Sequence, residues 1–115
     1  MKIEIIESKF HSGIHICFKN LDYIDDFDVI AKIIDKNIEV QLIENIDGIW
    51  SRYRTYKVDT IEFDLMYHED IGNCLRLPLK RDHRYDKKGY ELLRNIGEQI
   101  VNIINTNKKW NYLSK

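Results

Sequence analysis

The chain has little of what marks a membrane-bound, secreted or disulfide-stapled protein. Its 115 residues include one proline and two cysteines, and no apolar run approaches the roughly 18 residues that a membrane span needs. The N-terminus lacks the apolar stretch of a signal peptide, so we expect a cytoplasmic protein. Cys17 and Cys74 are far apart in sequence, and each lies in a strand-like segment. This favours reduced packing residues over a disulfide or a metal pair.

Catalytic motifs are also absent from the sequence. It has no glycine-rich phosphate loop, no G-x-S-x-G, no H-E-x-x-H and no cluster of cysteine and histidine. The histidines fall on different predicted elements, and their spacing does not indicate a metal site. We therefore expect a protein that is not an enzyme and that uses no cofactor or metal.

The sequence leaves one enzymatic hypothesis open. His15, His68, Arg52 and Arg54 could share one sheet surface, where histidine serves as acid and base and arginine stabilises a phosphorane. This arrangement would give a small phosphodiesterase-type enzyme. It selects four residues from a sequence rich in polar strand positions, so we rank it below a binding function.

Alternating apolar residues predict most of the fold. In the segment 61–68, Ile61, Phe63, Leu65 and Tyr67 share one face, as in a half-buried strand. Similar patterns predict strands near 2–7, 13–19, 38–43, 50–58 and 73–79, whereas helical spacing predicts helices at about 24–36 and 87–107. The chain is therefore predicted to be a single α+β domain, residues 1–115. It is a two-layer sandwich with a mostly antiparallel sheet of about six strands and two helices on one face.

Turn residues predict how the strands are joined. Glu69-Asp70-Ile71 with Gly72 in the left-handed region forms a three-residue hairpin loop that sets Leu75 beside Leu65. Asp59-Thr60 closes a second tight hairpin, and Gly97 is expected to let the last helix lie close to the sheet.

The turn before Trp50 is inconsistent with that register. A two-residue Asp47-Gly48 turn sets Leu42 beside Tyr53, whereas the next hairpin requires Tyr56 on the core side. Either the loop is longer, or the strand 50–58 carries a bulge that re-aims Arg52 and Arg54. The sequence leaves both solutions open.

Charge is distributed unevenly along the chain. Residues 1–49 carry a formal charge of −5 and residues 50–115 carry +4. Asp22 or Asp25 can cap the first helix, but the number of acidic residues there exceeds what capping needs. An acidic patch of this kind fits a positively charged groove, such as that of a nuclease. The predicted partner-binding residues are Asp22, Asp25, Asp26, Asp28, Glu44, Asp47, Glu69 and Asp70, with anchors drawn from Tyr23, Phe27, Trp50, Tyr53 and Tyr67.

The basic half of the chain supports an alternative surface. The segment 80–88 interleaves lysine and arginine with a tyrosine, a composition that can bind nucleic acid. Two aspartates dilute it and the whole chain is not basic, so we rank nucleic acid below a protein partner. The alternative partner-binding residues are Arg52, Arg54, Lys80, Arg81 and Arg84.

The segments Trp50-Ser51-Arg52-Tyr53 and Tyr67-His68-Glu69-Asp70-Ile71-Gly72-Asn73 pair an aromatic-rich hairpin with an acidic turn. In this respect the chain resembles small bacterial immunity proteins of contact-dependent growth inhibition and related polymorphic toxin systems. The resemblance covers about a quarter of the chain. It implies a cytoplasmic protein that binds the C-terminal domain of one cognate toxin and blocks its active site. Since each such interface is specific to its toxin, the resemblance transfers no individual site residue.

Overall fold

A six-stranded antiparallel sheet with two helices packed on one face forms the framework of the protein in this computed structural model. The structure describes residues 3–10, 13–78, 87–107 and 110. The elements in chain order are β1 (Glu4–Phe10), β2 (Gly13–Lys19), α1 (Ile24–Asn37), β3 (Gln41–Asp47), β4 (Ser51–Val58), β5 (Ile61–His68), β6 (Gly72–Pro78) and α2 (Lys87–Thr106). The predicted fold class and order of elements are confirmed. Neither helix in these ranges is long and apolar enough to cross a membrane.

The spatial order of the strands is β1-β2-β6-β5-β4-β3, and every neighbouring pair is antiparallel. The chain leaves the interior of the sheet after β2, crosses one face as α1 and starts again at the far edge with β3. It then returns strand by strand until β6 lies beside β2. Sequence patterns alone left this order open, because alternation does not identify the neighbours of a strand.

The core lies between the helices and the face of the sheet that carries the alternating apolar residues. Its largest fully buried members come from both layers and include Phe18, Phe27, Ile30, Ile34, Tyr56, Phe63, Leu65 and Leu75. Burying a side chain of this size contributes about 1.5–3 kcal/mol. Gly97 lies against β2, where an added Cβ would be 3.2 Å from Ile16 Cγ2, so the predicted close approach of α2 is confirmed.

The two predicted hairpins around β5 are confirmed. Gly72 has a φ of +89° and follows a three-residue loop, and Leu65 lies opposite Leu75. Asp59 and Thr60 join β4 to β5, with Val58 opposite Ile61.

The loop between β3 and β4 is longer than a two-residue Asp47-Gly48 turn, which confirms the first of the two solutions that the sequence left open. The turn runs from Gly48 to Ser51, where the Gly48 N–H donates to the Ser51 carbonyl at 2.7 Å. Leu42 lies opposite Tyr56, and the bulge is in β3, between Leu42 and Glu44, rather than in β4. One extra residue in β3 therefore restores the register of the core.

The start of α1 is also capped by a residue other than the predicted Asp22 or Asp25. Tyr23 is the N-cap, and its N–H donates to Asp26 Oδ2 at 3.1 Å. A carboxylate at the third helical position can reach back to the N-cap amide, as in half of a capping box.

Cys17 and Cys74 face each other on the neighbouring strands β2 and β6. Their Cα atoms are 4.0 Å apart, and the side chains form a disulfide. The prediction of reduced cysteines was wrong, because a separation of 57 residues in sequence carries no information about which strands pair. His15 lies two residues before Cys17 on β2. It is buried, although the alternation of β2 predicts that its side chain points away from the core.

Candidate interaction surface

Three loops meet at one end of the sheet. Together with the first two residues of α1 and the last residue of β3, they form what we call the three-loop end: residues 20–25, 47–50 and 69–71. The strand register places the end of β2, the β3–β4 turn and the β5–β6 turn at the same end of the sheet. The Glu69 N–H donates to the Trp50 carbonyl at 3.1 Å and connects two of the loops.

Asn73 holds the loop between β2 and α1 in place. Its side-chain amide is buried and donates to the carbonyls of Leu21 at 2.9 Å and Tyr23 at 3.0 Å. Gly72 lies so close to this loop that an added Cβ would be 3.1 Å from Asp22 Oδ1. The residue before α1 is therefore fixed to the start of β6, and the three loops are supported by the sheet.

The three-loop end exposes an unusual amount of apolar surface. Ile49 is 84% exposed, Tyr23 75% and Trp50 65%, and Ile24 and Ile71 are also exposed. Large apolar side chains grouped on a protein surface mark interaction sites, and tryptophan and tyrosine are enriched among the residues that dominate binding energy.

The charge of the three-loop end is entirely negative. Its loops contain no lysine, arginine or histidine, and their acidic residues are Asp22, Asp25, Asp47, Glu69 and Asp70. Asp47 accepts a hydrogen bond from Arg52 Nε at 2.9 Å, whereas the described residues place no cation in an ion pair with Asp22, Asp25 or Glu69. An apolar surface with an acidic rim is the arrangement that fits a basic protein surface.

Two of the predicted partner-binding aspartates are used within the protein instead. Asp26 is only 9% exposed, and burial raises the pKa of its carboxyl group, against the hydrogen bond from the Tyr23 amide. Asp28 pairs with Arg52 at 3.0 Å. Glu44 lies on the face of the sheet away from the helices, so it is separate from the three-loop end.

Arg52 and Arg54, from the alternative set, point towards α1. Arg52 lies 4.5 Å above the ring of Phe27 and pairs with Asp28 and Asp47. Burial acts to lower the pKa of Arg52, but the hydrogen bonds and charges of the two aspartates outweigh it and raise the pKa. Arg54 pairs with Asp35 at 3.0 Å. Both guanidinium groups therefore join β4 to α1.

The remaining members of the alternative set, Lys80, Arg81 and Arg84, lie outside the described residues.

The residues of the phosphodiesterase hypothesis do not converge. His15 and His68 are on the face of the sheet away from the helices, whereas Arg52 and Arg54 are on the helix-covered face. His15 lies opposite Arg76 and His68 lies opposite Gly72, so four residues of β6, about 13 Å, separate the two histidines along the strands. His68 Nδ1 accepts a hydrogen bond from the Asp70 N–H at 3.1 Å.

The face of the sheet away from the helices carries a shallow depression of about 280 Å³, lined by Glu44, Ile46, Tyr53, Thr55, Asp64 and Arg76. Asp64 is buried at its base, where it accepts hydrogen bonds from Thr55 Oγ1 at 2.7 Å and Arg76 Nε at 3.1 Å. The Arg76 guanidinium lies over the Tyr53 ring at 5.2 Å. These contacts satisfy the buried Asp64 carboxylate within the sheet.

No group of three or more histidine, cysteine, aspartate or glutamate side chains within the described residues is arranged to hold a metal ion.

Trp50 and Tyr23 are among the anchors that the sequence predicts, whereas Ile49 and Ile71 are not. Both isoleucines lie in turns, where polar residues or glycine are usual. An isoleucine at the tip of a turn is therefore the signal that could have revealed them. Phe27, which was also proposed as an anchor, is fully buried.

No known protein family, curated protein or solved structure matches this chain.

Proposed function

We propose that this protein is a non-enzymatic immunity protein, which acts in the cytoplasm and neutralises the C-terminal domain of a bacterial toxin, a nuclease in our proposal. The three-loop end docks over the basic surface around the toxin's active site and blocks access of its substrate. The acidic, apolar character of this end is the observation that carries the proposal. The resemblance to immunity proteins of toxin systems adds the class of partner.

A binding surface differs from a solvated surface in its mixture of charges. A solvated protein surface mixes lysine and arginine with acidic residues, whereas the three-loop end has acidic residues alone. Trp50 and Ile49 stand exposed beside them, and exposing such side chains to water is unfavourable by about 1.5–3 kcal/mol each. A partner that covers them with a basic surface recovers this energy and is attracted from a distance.

A nuclease is the partner class that best fits this electrostatic pattern. Its active-site groove binds a phosphate backbone and is therefore basic. An acidic protein surface placed over that groove occupies the place of the nucleic acid. Inhibition by docking requires no chemistry from this chain.

Co-expression with the products of the neighbouring genes, where the proposal places the toxin domain, tests the proposal. We expect the toxin domain alone to stop growth of a host cell, and the unaltered chain to restore growth and to co-purify at equal stoichiometry. If growth is not restored and the purified proteins do not associate, the immunity proposal is wrong.

A matched pair of charge reversals locates the surface. Asp25→Lys combined with Glu69→Lys changes two acidic residues of the three-loop end, and we expect it to weaken protection and slow association. Glu62→Lys combined with Glu91→Lys makes the same change in net charge at exposed positions elsewhere, on β5 and α2, and we expect it to protect like the unaltered chain. Equal behaviour of the two double variants would contradict the assignment of the surface.

Nucleic acid remains the alternative partner. Arg52 and Arg54 are engaged with α1, so this alternative depends on Lys80, Arg81 and Arg84. It is favoured if the purified chain retains RNA or DNA and releases it steeply as salt rises.

A further inference from the structure

The edge strand β3 is the second unusual surface of the protein. All seven of its residues are exposed, and its one neighbour in the described part of the chain is β4. The outer side of such a strand presents backbone N–H and C=O groups that can bind another strand.

The hydrogen bond of the β3–β4 turn identifies these groups. Gly48 N–H donates to Ser51 across the turn, and hydrogen-bonded positions alternate along an antiparallel pair. The backbone groups of Ile46 and Glu44 therefore face β4. Those of Asn45 and Asp47 face away from the sheet.

Proteins usually protect such an edge with lysine, proline or a covering loop. The segment 38–51 contains neither lysine nor proline, and along β3 the side chains of Leu42, Ile43 and Ile46 are nearly half exposed. The bulge between Leu42 and Glu44 interrupts the edge near its beginning, which leaves a regular stretch at 44–47.

Charge determines which strand can occupy this edge. Residues 38–51 carry Glu39, Glu44 and Asp47 and no basic residue. Pairing β3 with β3 of a second copy would join two negatively charged strands, and repulsion between like charges opposes that pairing. A strand in which lysine or arginine alternates with apolar residues has the complementary charge.

The depression on the face of the sheet away from the helices lies directly beside the edge strand β3. Glu44 and Ile46 form its outer border, and Tyr53 lies behind them on β4. Asp64 is already paired with Arg76, but no described residue forms an ion pair with Glu44. A lysine or arginine side chain from an added strand would reach Glu44 from the edge.

We propose that β3 accepts an extended segment of the toxin domain, with lysine or arginine alternating with apolar residues, as a seventh strand. The inference rests on the proposed function for the identity of the partner and on the edge of β3 for the geometry. Asp47 ends this strand and opens the three-loop end, so the two surfaces are continuous.

Replacing one outward amide tests the proposal. Asn45→Pro removes an N–H that faces away from the sheet, in a position where an edge strand tolerates proline. Asn45→Ala removes the same side chain and keeps the N–H. We expect the proline variant to bind the toxin domain at least about tenfold more weakly than the alanine variant. Equal affinities of two folded variants would overturn the added strand.

Hydrogen exchange of the unaltered chain provides a measurement that does not depend on how the proline variant folds. The amides of Asn45 and Asp47 are expected to exchange more slowly in the complex than in the free protein. Unchanged exchange of both amides in a complex that still protects cells would overturn the inference and leave the proposed function standing.

A synthetic peptide tests the edge even if no toxin domain binds. The probe is a capped hexapeptide of alternating valine and lysine, and its control replaces each lysine with glutamate. We expect the lysine peptide alone to slow exchange at Asn45 and Asp47. The proposal is overturned if the two peptides act alike, or if the chain instead forms a dimer that Asn45→Pro dissociates.

Discussion

Tyr56 is the buried polar residue that ties the core to the surface ion pairs. Its hydroxyl accepts a hydrogen bond from Arg54 Nε at 2.7 Å and donates to Asp35 Oδ1 at 3.2 Å. The ring packs against Phe63 in the core, with centroids 5.6 Å apart. One side chain of β4 therefore packs against β5 and hydrogen-bonds to α1.

Burial raises the pKa of Tyr56 from 10.0 to about 12, although Arg54 acts to lower it. The folded protein therefore keeps the phenol proton to higher pH than the unfolded chain. The stability that this contributes is complete below about pH 10 and is lost as pH rises through about 12. We expect the free energy of unfolding to fall over this range, and to fall less in Tyr56→Phe.

Urea unfolding of both proteins at several pH values measures this difference. At neutral pH we expect Tyr56→Phe to cost about 1 kcal/mol through its lost hydrogen bonds. Parallel pH dependence of the two proteins would show that another group titrates.

Arg76 and Asp64 form an ion pair on the face of the sheet away from the helices. Asp64 is almost fully buried, so removal of its partner leaves an uncompensated carboxylate. We expect Arg76→Ala to destabilise the protein by about 3 kcal/mol. Thermal or urea unfolding measures the loss, and Arg94→Ala on the exposed face of α2 is the control, with an expected change below about 1 kcal/mol.

At the level of elements, alternation and turn chemistry were sufficient for the hairpins around β5. Gly72 specifies its loop through its left-handed conformation, and shifting the register by one residue would expose the leucines of β6. The same reasoning could not find the bulge in β3. All residues of that strand are exposed, so burial imposes no alternation that would locate an extra residue.

The disulfide between β2 and β6 gives a prediction at this scale. Cys17 and Cys74 close a long loop, and loop-closure entropy predicts a stabilisation of at most about 4 kcal/mol. We expect a reducing agent to lower the free energy of unfolding by about 2–4 kcal/mol. The variant with Cys17→Ala and Cys74→Ala should not respond to the reductant.

Thiol titration provides the independent measurement. In the absence of reductant, the folded or denatured protein should contain no reactive thiol. Detection of two thiols, together with equal stability in both conditions, would contradict the disulfide.

At the level of the whole molecule, charge and apolar surface affect different steps of binding at the three-loop end. Long-range attraction by Asp25 and Glu69 acts mainly on the association rate and weakens with salt, whereas a buried anchor acts mainly on dissociation. We therefore expect Trp50→Ala to speed dissociation of the toxin domain by tenfold or more, at low and high salt alike. The Asp25→Lys and Glu69→Lys variant should slow association most at low salt.

Surface plasmon resonance at two salt concentrations separates the two effects. Ile6→Ala, an exposed apolar residue on the opposite edge strand, is the control for Trp50→Ala. A Trp50→Ala variant with unchanged dissociation would remove the anchor from the proposed surface.

The composition predicts that this surface is acidic, but it does not predict which acidic residues belong to it. Asp25 and Asp26 are neighbours in sequence, and one faces solvent while the other is buried against the Tyr23 amide. The orientation of α1 on the sheet determines which of the two aspartates is buried. The distribution of charge along the sequence does not reveal that orientation. Glu69 joins Asp22 at one end because β6 pairs with β2, a pairing that no local pattern reveals.

The position of β6 beside β2 has a consequence for the order in which the protein folds. The other four strand pairings join consecutive strands, which can form early because little chain must be ordered to close them. Pairing β2 with β6 must instead wait until α1 and the β3–β6 meander have ordered the chain between them. We expect pulsed hydrogen exchange during refolding to protect the amides of β4 and β5 first, with those of Ile16 and Leu75 following as the two halves of the sheet join.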